Sequence, residues 1–173
     1  MIEIKPAAKT NVPLIQQLAY TIWTVAYKDI LSKDQLAYML DKMHSIEALT
    51  KLIDDGHQFI ISYEDGVAKG YACYKIHPDK ARIEKIYVLP DQHKKGIGKL
   101  MMDYIIEKVS PDVSIVELNV NRQNKAVDFY KRIGFEIVRE ADIPIGEGYF
   151  MNDYIMTLTL TTYLLSLKGE EAA

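Results

Sequence analysis

The chain has 173 residues, 49% of them apolar and 26% charged, which excludes a disordered chain and is enough for one domain with a real core. A net charge of −3 and a pI near 5.8 argue against a protein whose main task is to neutralise nucleic-acid phosphates. A single cysteine, Cys73, rules out an intrachain disulfide, and no run approaches the ~18 apolar residues that span a bilayer. The expectation is a cytoplasmic protein with no nucleic-acid or membrane partner, and "MIEIKPAAK" carries no apolar core of signal-peptide type.

"IEIKPA" alternates and reads as a first strand. Asn11 can cap a helix with Pro13 in its first turn, running to about Lys28. Leu18, Ile22 and Val25 share one face of it, and Tyr20, Trp23 and Tyr27 form an aromatic stripe beside them. Ser32 and Gln35 fit a capping box that opens a second helix; Ser45 can cap a third, ending near Gly56. The period then changes to that of strands. "QFIISY" and "AKGYACYKI" are joined by an Asp-Gly hairpin turn, and "ARIEKIYV" follows, closed by Pro90. A helix over 98–109 carries Ile97, Leu100, Met101, Tyr104 and Ile105 at helical spacing. "SIVELNV" is a buried strand, "KAVDFYKRI" a short helix that Gly134 can end, and "FEIVRE" and "YFMNDYIMTLTL" are the last strands. This order of hairpins and crossovers predicts an α/β (α+β) fold, a mixed sheet with helices on its faces. Residues 1–160 read as one domain and 161–173 as a partly frayed tail.

Charge is unevenly placed. Residues 75–99 hold seven basic and three acidic side chains, while residues 28–65 hold four lysines against eight acids. An anion site in the first segment and a cation-friendly surface in the second would fit, as would two solvated faces. The first segment contains "DQHKKGIGKL", where a strand runs into a helix through lysines and glycines. A P-loop needs a glycine five residues before the Gly-Lys pair and Ser/Thr after it; His93 and Leu100 stand there instead. A dinucleotide fingerprint needs a third glycine where Met101 stands. What survives is a helix start with unpaired N–H groups, partial positive charge, glycines that admit a ligand, and Lys94, Lys95 and Lys99: a cradle suited to pyrophosphate, or else a tight turn with surface lysines.

Two elements together resemble the GNAT superfamily of acetyl-CoA-dependent N-acetyltransferases. The first is the family's Arg/Gln-x-x-Gly-x-Gly/Ala at a strand-to-helix junction, here His93-Lys94-Lys95-Gly96-Ile97-Gly98. The second is Asn124-Lys125-Ala126-Val127-Asp128-Phe129-Tyr130, continuing through Lys131 to Gly134-Phe135. The resemblance extends to about Leu160, and His93 is its one visible departure, with a charge that depends on pH.

The resemblance implies a mostly antiparallel central sheet and direct transfer of acetyl from acetyl-CoA to an amine in a ternary complex. It places the pantetheine arm against the main chain of Tyr87 and Val88, with Val88 N–H polarising the thioester carbonyl, and the pyrophosphate on His93–Lys99. Tyr130 would protonate the departing thiolate, Asn124 would contact the cofactor arm or cap its helix, and Lys131 would reach a phosphate or remain solvated. An alkylamine must lose a proton before it attacks, and Glu84 is the candidate base if its pKa is raised toward 7; the other reading is an outward-facing glutamate. Trp23 and Tyr27, with Asp29 nearby, could line a site for a small cationic, polyamine-like or peptide amine, or else belong to the core. Cys73 reads as a small buried strand residue rather than a relay nucleophile, and the four histidines show no metal spacing, so no metal is expected. The family also makes a homodimer an expected assembly. A non-catalytic acyl-CoA-binding sensor module is the alternative reading; Tyr130 and Glu84 favour an enzyme.

Overall fold

A computed structural model describes residues 1–93 and 95–172. Its strands form one seven-stranded sheet, in chain-order numbering β1-β2-β3-β4-β5-β7-β6. The β4–β5 pair is parallel; β1–β2, β2–β3, β5–β7 and β6–β7 are antiparallel, so the mixed, mostly antiparallel α/β arrangement expected from the sequence is what the chain adopts. The chain divides into two compact units, residues 1–75 with 84–105 and residues 76–83 with 106–173.

The first unit begins with β1 (Ile2–Ala7), followed by α1 (Val12–Ala26), α2 (Lys33–His44) and α3 (Ile46–Asp54). Pro13 sits in the first turn of α1, but Asn11 turns its side chain back: Oδ1 accepts from Ala8 N at 2.9 Å and does not cap α1. Ser32 and Ser45 cap α2 and α3 by accepting from Gln35 N and Ala48 N. Leu18 and Ile22 are buried as expected, whereas Val25 is exposed, because the buried face at this end of α1 runs through Trp23 to Tyr27. The hairpin of β2 (Gln58–Glu64) and β3 (Val67–Ile76) turns through Asp65 and Gly66, both at positive φ (50° and 82°), the primed geometry that matches strand twist. The part of β4 (Ala81–Val88) that belongs to this unit leads through a 3₁₀ turn at Pro90–Gln92 to α4 (Ile97–Val109). Ile97, Met101 and Ile105 fill the core with Met102, but Leu100 faces solvent.

The second unit contains β5 (Ile115–Asn121), α5 (Ala126–Ile133), β6 (Glu136–Gly146), β7 (Tyr149–Thr159) and α6 (Leu160–Ala172). Gly134 ends α5 at φ 121°, where its N–H reaches Tyr130 O and Lys131 O and Phe135 N–H reaches Tyr130 O. Two differences from the sequence reading fall here. β6 extends to Gly146 rather than stopping near Glu140, and residues 161 onward, expected as a tail, continue in α6, where Leu160 and Tyr163 are buried. Arg82 and Lys80 both bind Glu117 (2.5 and 3.1 Å), and Arg82 Nη2 donates to Asn119 Oδ1. Burial opposes ionisation of Glu117, but these donors outweigh it and hold the carboxyl below its ordinary value. No helix among the described residues is long and apolar enough to cross a membrane.

Candidate active site

The candidate cradle lies in the first unit. Leu100 N–H makes the first α-helical bond of this turn, to Gly96 O at 3.0 Å. The N–H groups of Ile97, Gly98 and Lys99 precede it and have no intrahelical acceptor, as in the first turn of any α-helix. Gly96 adopts φ 79°, and the position a Cβ would take there is open space. Glycine is required by the backbone angle, and the space beside it admits a ligand. Uncovered donors, helix-start polarity and open approach fit a diphosphate group. The lysines are partly committed: Lys95 Nζ donates to Gln92 Oε1 at 3.1 Å, and Lys99 pairs with Asp103 at 2.9 Å one turn on. Lys94 lies outside the described residues.

His93, the departure from the family pattern, is exposed, and its Nε2 lies 3.0 Å from Val88 O. With a proton on Nε2 it ties the loop to the end of β4. Leu89 N–H donates to Lys69 O at 2.8 Å, so β3 also holds this end of the strand. Gly70 makes that approach close: a Cβ there would stand 2.6 Å from Tyr87 O.

Behind Tyr87 is an aromatic wall. Trp23, Tyr27, Tyr71 and Tyr87 pack at centroid distances of 5.0 Å (Trp23–Tyr27), 5.4 Å (Trp23–Tyr87) and 5.7 Å (Tyr71–Tyr87). The hydroxyls of Tyr27 and Tyr87 are 3.3 Å apart. Trp23 and Tyr27 are buried, Tyr20 and Asp29 are exposed, so the stripe expected on α1 divides between core and solvent. Glu84 has its carboxylate 3.9 Å from His57 Nε2.

Three residues that the sequence reading passed over complete this region. His44 is fully buried, with Nε2 2.8 Å from Tyr71 Oη and its ring edge-on to Trp23. Burial, reinforced by the charge of Lys85, lowers its pKa to about 2, so it is neutral at physiological pH. Lys85 is only 9% exposed and makes no hydrogen bond or ion pair among the described residues; burial lowers its pKa from the usual lysine value. Gly70 had a signal in the sequence, an isolated glycine inside a strand, which marks close backbone approach. Cys73 is buried as expected, and burial pushes its thiol up to about 12, against a role as nucleophile.

The neutral state of His44 has a consequence for stability. Between pH 6.5 and about 2 the unfolded chain binds one more proton at this position than the folded chain. The contribution is intact above pH 6.5 and lost as pH falls. Between pH 6.5 and 5 the wild type should lose about 2 kcal/mol more than His44→Gln, whose amide can still pair with Tyr71. Urea unfolding at the two pH values checks this; equal losses would contradict it.

In the second unit, Asn124 Oδ1 accepts from Ala126 N at 2.9 Å, one residue ahead of the N-cap Lys125 of α5. Tyr130 is buried, its ring edge-on to Phe129 and Phe135. Lys131 is exposed.

The Acetyltransferase (GNAT) domain family matches residues 27–145. The chain is 26% identical over 144 residues to a spermidine N(1)-acetyltransferase of Thermoplasma acidophilum, covering 79% of this chain and 89% of that protein. A match to a putative acetyltransferase of Bacillus subtilis, 28% identical, spans 48% of this chain and about half (56%) of that protein. Among solved structures, the PaiA N-acetyltransferase of Thermoplasma acidophilum in complex with coenzyme A superposes with a TM-score of 0.76 at 25% identity, covering 92% of this chain and 99% of the other. With more than half of its length matched by the family, the chain belongs to the GNAT acetyltransferases and is an acyltransferase that uses acetyl-CoA.

Proposed function

We propose that this acetyltransferase moves the acetyl group of acetyl-CoA onto a primary amine by direct attack, and that the acceptor is a small cationic, polyamine-like amine or a peptide amine. The observation that carries the acceptor class is the match over most of both chains to a spermidine N(1)-acetyltransferase. The excess of acids in residues 28–65 supports a cationic acceptor. Acetyl-CoA supplies the activated acyl group; the remaining work belongs to the chain.

In this reading the main chain of Tyr87 and Val88 aligns the pantetheine arm, and Val88 N–H stabilises charge on the thioester oxygen. Gly96, Gly98 and the first-turn N–H groups of Ile97, Gly98 and Lys99 hold the diphosphate, with Lys94, Lys95 and His93 around it. Glu84 takes the proton from the incoming ammonium, and its position beside His57 supports a local proton path. Trp23, Tyr27 and Asp29 border the acceptor. Asn124 orders the start of α5, from which Tyr130 protonates the leaving thiolate and Lys131 reaches a phosphate. The acetyl-CoA requirement and the buried thiol of Cys73 support a cytoplasmic location.

Two measurements test the reading. Spermidine and an N-terminal peptide amine, compared by kcat/KM, separate the two acceptor classes; failure of both would remove the proposed acceptors. Tyr130→Phe should lower kcat by about 100-fold while leaving acetyl-CoA affinity within about twofold, since a proton donor acts in the chemical step. An unchanged kcat would remove Tyr130 from the reaction.

A further inference from the structure

We propose that Lys85 Nζ is a self-acetylation site, taking the acetyl group from acetyl-CoA held along β4; the inference rests on the reading above. Lysine is among the residues least often buried without a partner. Here Lys85 is 9% exposed, and no hydrogen bond or ion pair reaches its Nζ from the described residues. The sealed, unpartnered polar atoms among the described residues are Trp23 Nε1, His44 Nδ1 and Ser62 Oγ; Lys85 Nζ is not one of them.

Its place on the strand matters as much as its burial. Ala81, Ile83 and Lys85 alternate as the buried positions of β4, and Tyr87 follows on the same side. Two residues, about 7 Å along a strand, separate Lys85 from Tyr87, a span that the flexible four-carbon lysine stem covers. The groups that act on its charge are Cys73 on β3, Glu84 on its own strand and His44 on α2. His44 is neutral and the thiol of Cys73 is held protonated, so neither provides a counter-ion for the ammonium. Glu84 favours the charged form, but burial outweighs it. A buried primary amine without an ion pair is a nucleophile of the same kind as the enzyme's acceptor.

In the step, the Nζ lone pair attacks the thioester carbonyl. The N–C bond forms and the C–S bond breaks. The sulfur departs as thiolate and receives the proton lost by Nζ, giving CoA thiol and a neutral acetamide. No oxidant or further reactant is needed. The product replaces a buried amine that can take a charge with an uncharged amide.

The test is peptide mass mapping of the full chain after incubation with acetyl-CoA at pH 7 without an acceptor amine, beside calorimetric acetyl-CoA binding. One acetyl group should appear on Lys85 at least about tenfold faster than on exposed Lys5 or Lys51. Added CoA should suppress it, and Lys85→Met should lose it. Lys85 left unmodified while added amines are acetylated would overturn this inference and leave the reading intact. Equal labelling by a small acetyl thioester lacking the nucleotide would also overturn it. Absence of acetyl-CoA binding would overturn the reading and the inference together.

Discussion

Gly70→Ala should both destabilise the protein and weaken acetyl-CoA binding. The added Cβ would lie 2.6 Å from Tyr87 O, 3.0 Å from Ser62 Oγ and 3.3 Å from Met101 Cε. The Met101 methyl can move. Tyr87 O is main chain and cannot move unless β3 and β4 separate. Overpacking of this kind costs about 1–3 kcal/mol, and the upper end applies where the obstruction is backbone. Separation at Tyr87 would displace the segment proposed to align the pantetheine arm, so affinity should fall at least about tenfold, equivalent to about 1.4 kcal/mol. Gly66→Asn is the contrast. That turn needs positive φ but has open space around its Cβ position, and Asn tolerates the conformation, so stability should change by less than about 1 kcal/mol. Urea unfolding and calorimetry on the two variants check the pair. Equal, small effects would mean that β3 does not position Tyr87.

Gly98→Val should separate binding from stability. Gly98 is the second residue of α4, and valine there improves helix propensity by a few tenths of a kcal/mol. The fold should therefore be unharmed. The branched side chain would stand where a diphosphate must approach the first-turn N–H groups. Losing those charge-assisted bonds should reduce acetyl-CoA affinity by about 100-fold, close to 2.7 kcal/mol. Unchanged affinity by calorimetry would remove the glycine turn from the site. Gly70→Ala loses both properties and Gly98→Val loses one, so the pair distinguishes support of the site from contact with the cofactor.

Local signals made much of this legible in the sequence. The Asp65-Gly66 turn, the Ser32 and Ser45 caps and the Gly134 stop each depend on one residue and its immediate neighbours, and each forms where its chemistry requires. The candidate cradle stands out in the sequence because its glycines and lysines are contiguous. Features set by distant partners were not. His44 and Tyr71 meet across 27 residues, and no spacing announces that pair. Lys85 occupies a buried position by strand alternation, yet its charge invites an exposed reading. β6 was cut short because nearly every residue in it is exposed, so the alternation that marks a half-buried strand is missing. Residues 160–172 do carry a helical signal, Leu160, Tyr163, Leu164 and Leu167 at i, i+3, i+4 and i+7, but the charged and glycine-containing end "KGEEAA" invites the reading of a tail. Asn11 looked like the cap of α1 but satisfies Ala8 instead, because a 3₁₀ turn at Lys9–Asn11 intervenes.

Release of CoA thiol from acetyl-CoA across a panel of amines decides whether the cradle and β4 serve catalysis as well as binding. Thiol release should depend on the amine, saturate with acetyl-CoA, yield one acetylated product per thiol and be strongly reduced in Gly98→Val. Tight acetyl-CoA binding with no thiol release above background for any polyamine or peptide amine would contradict a catalytic role.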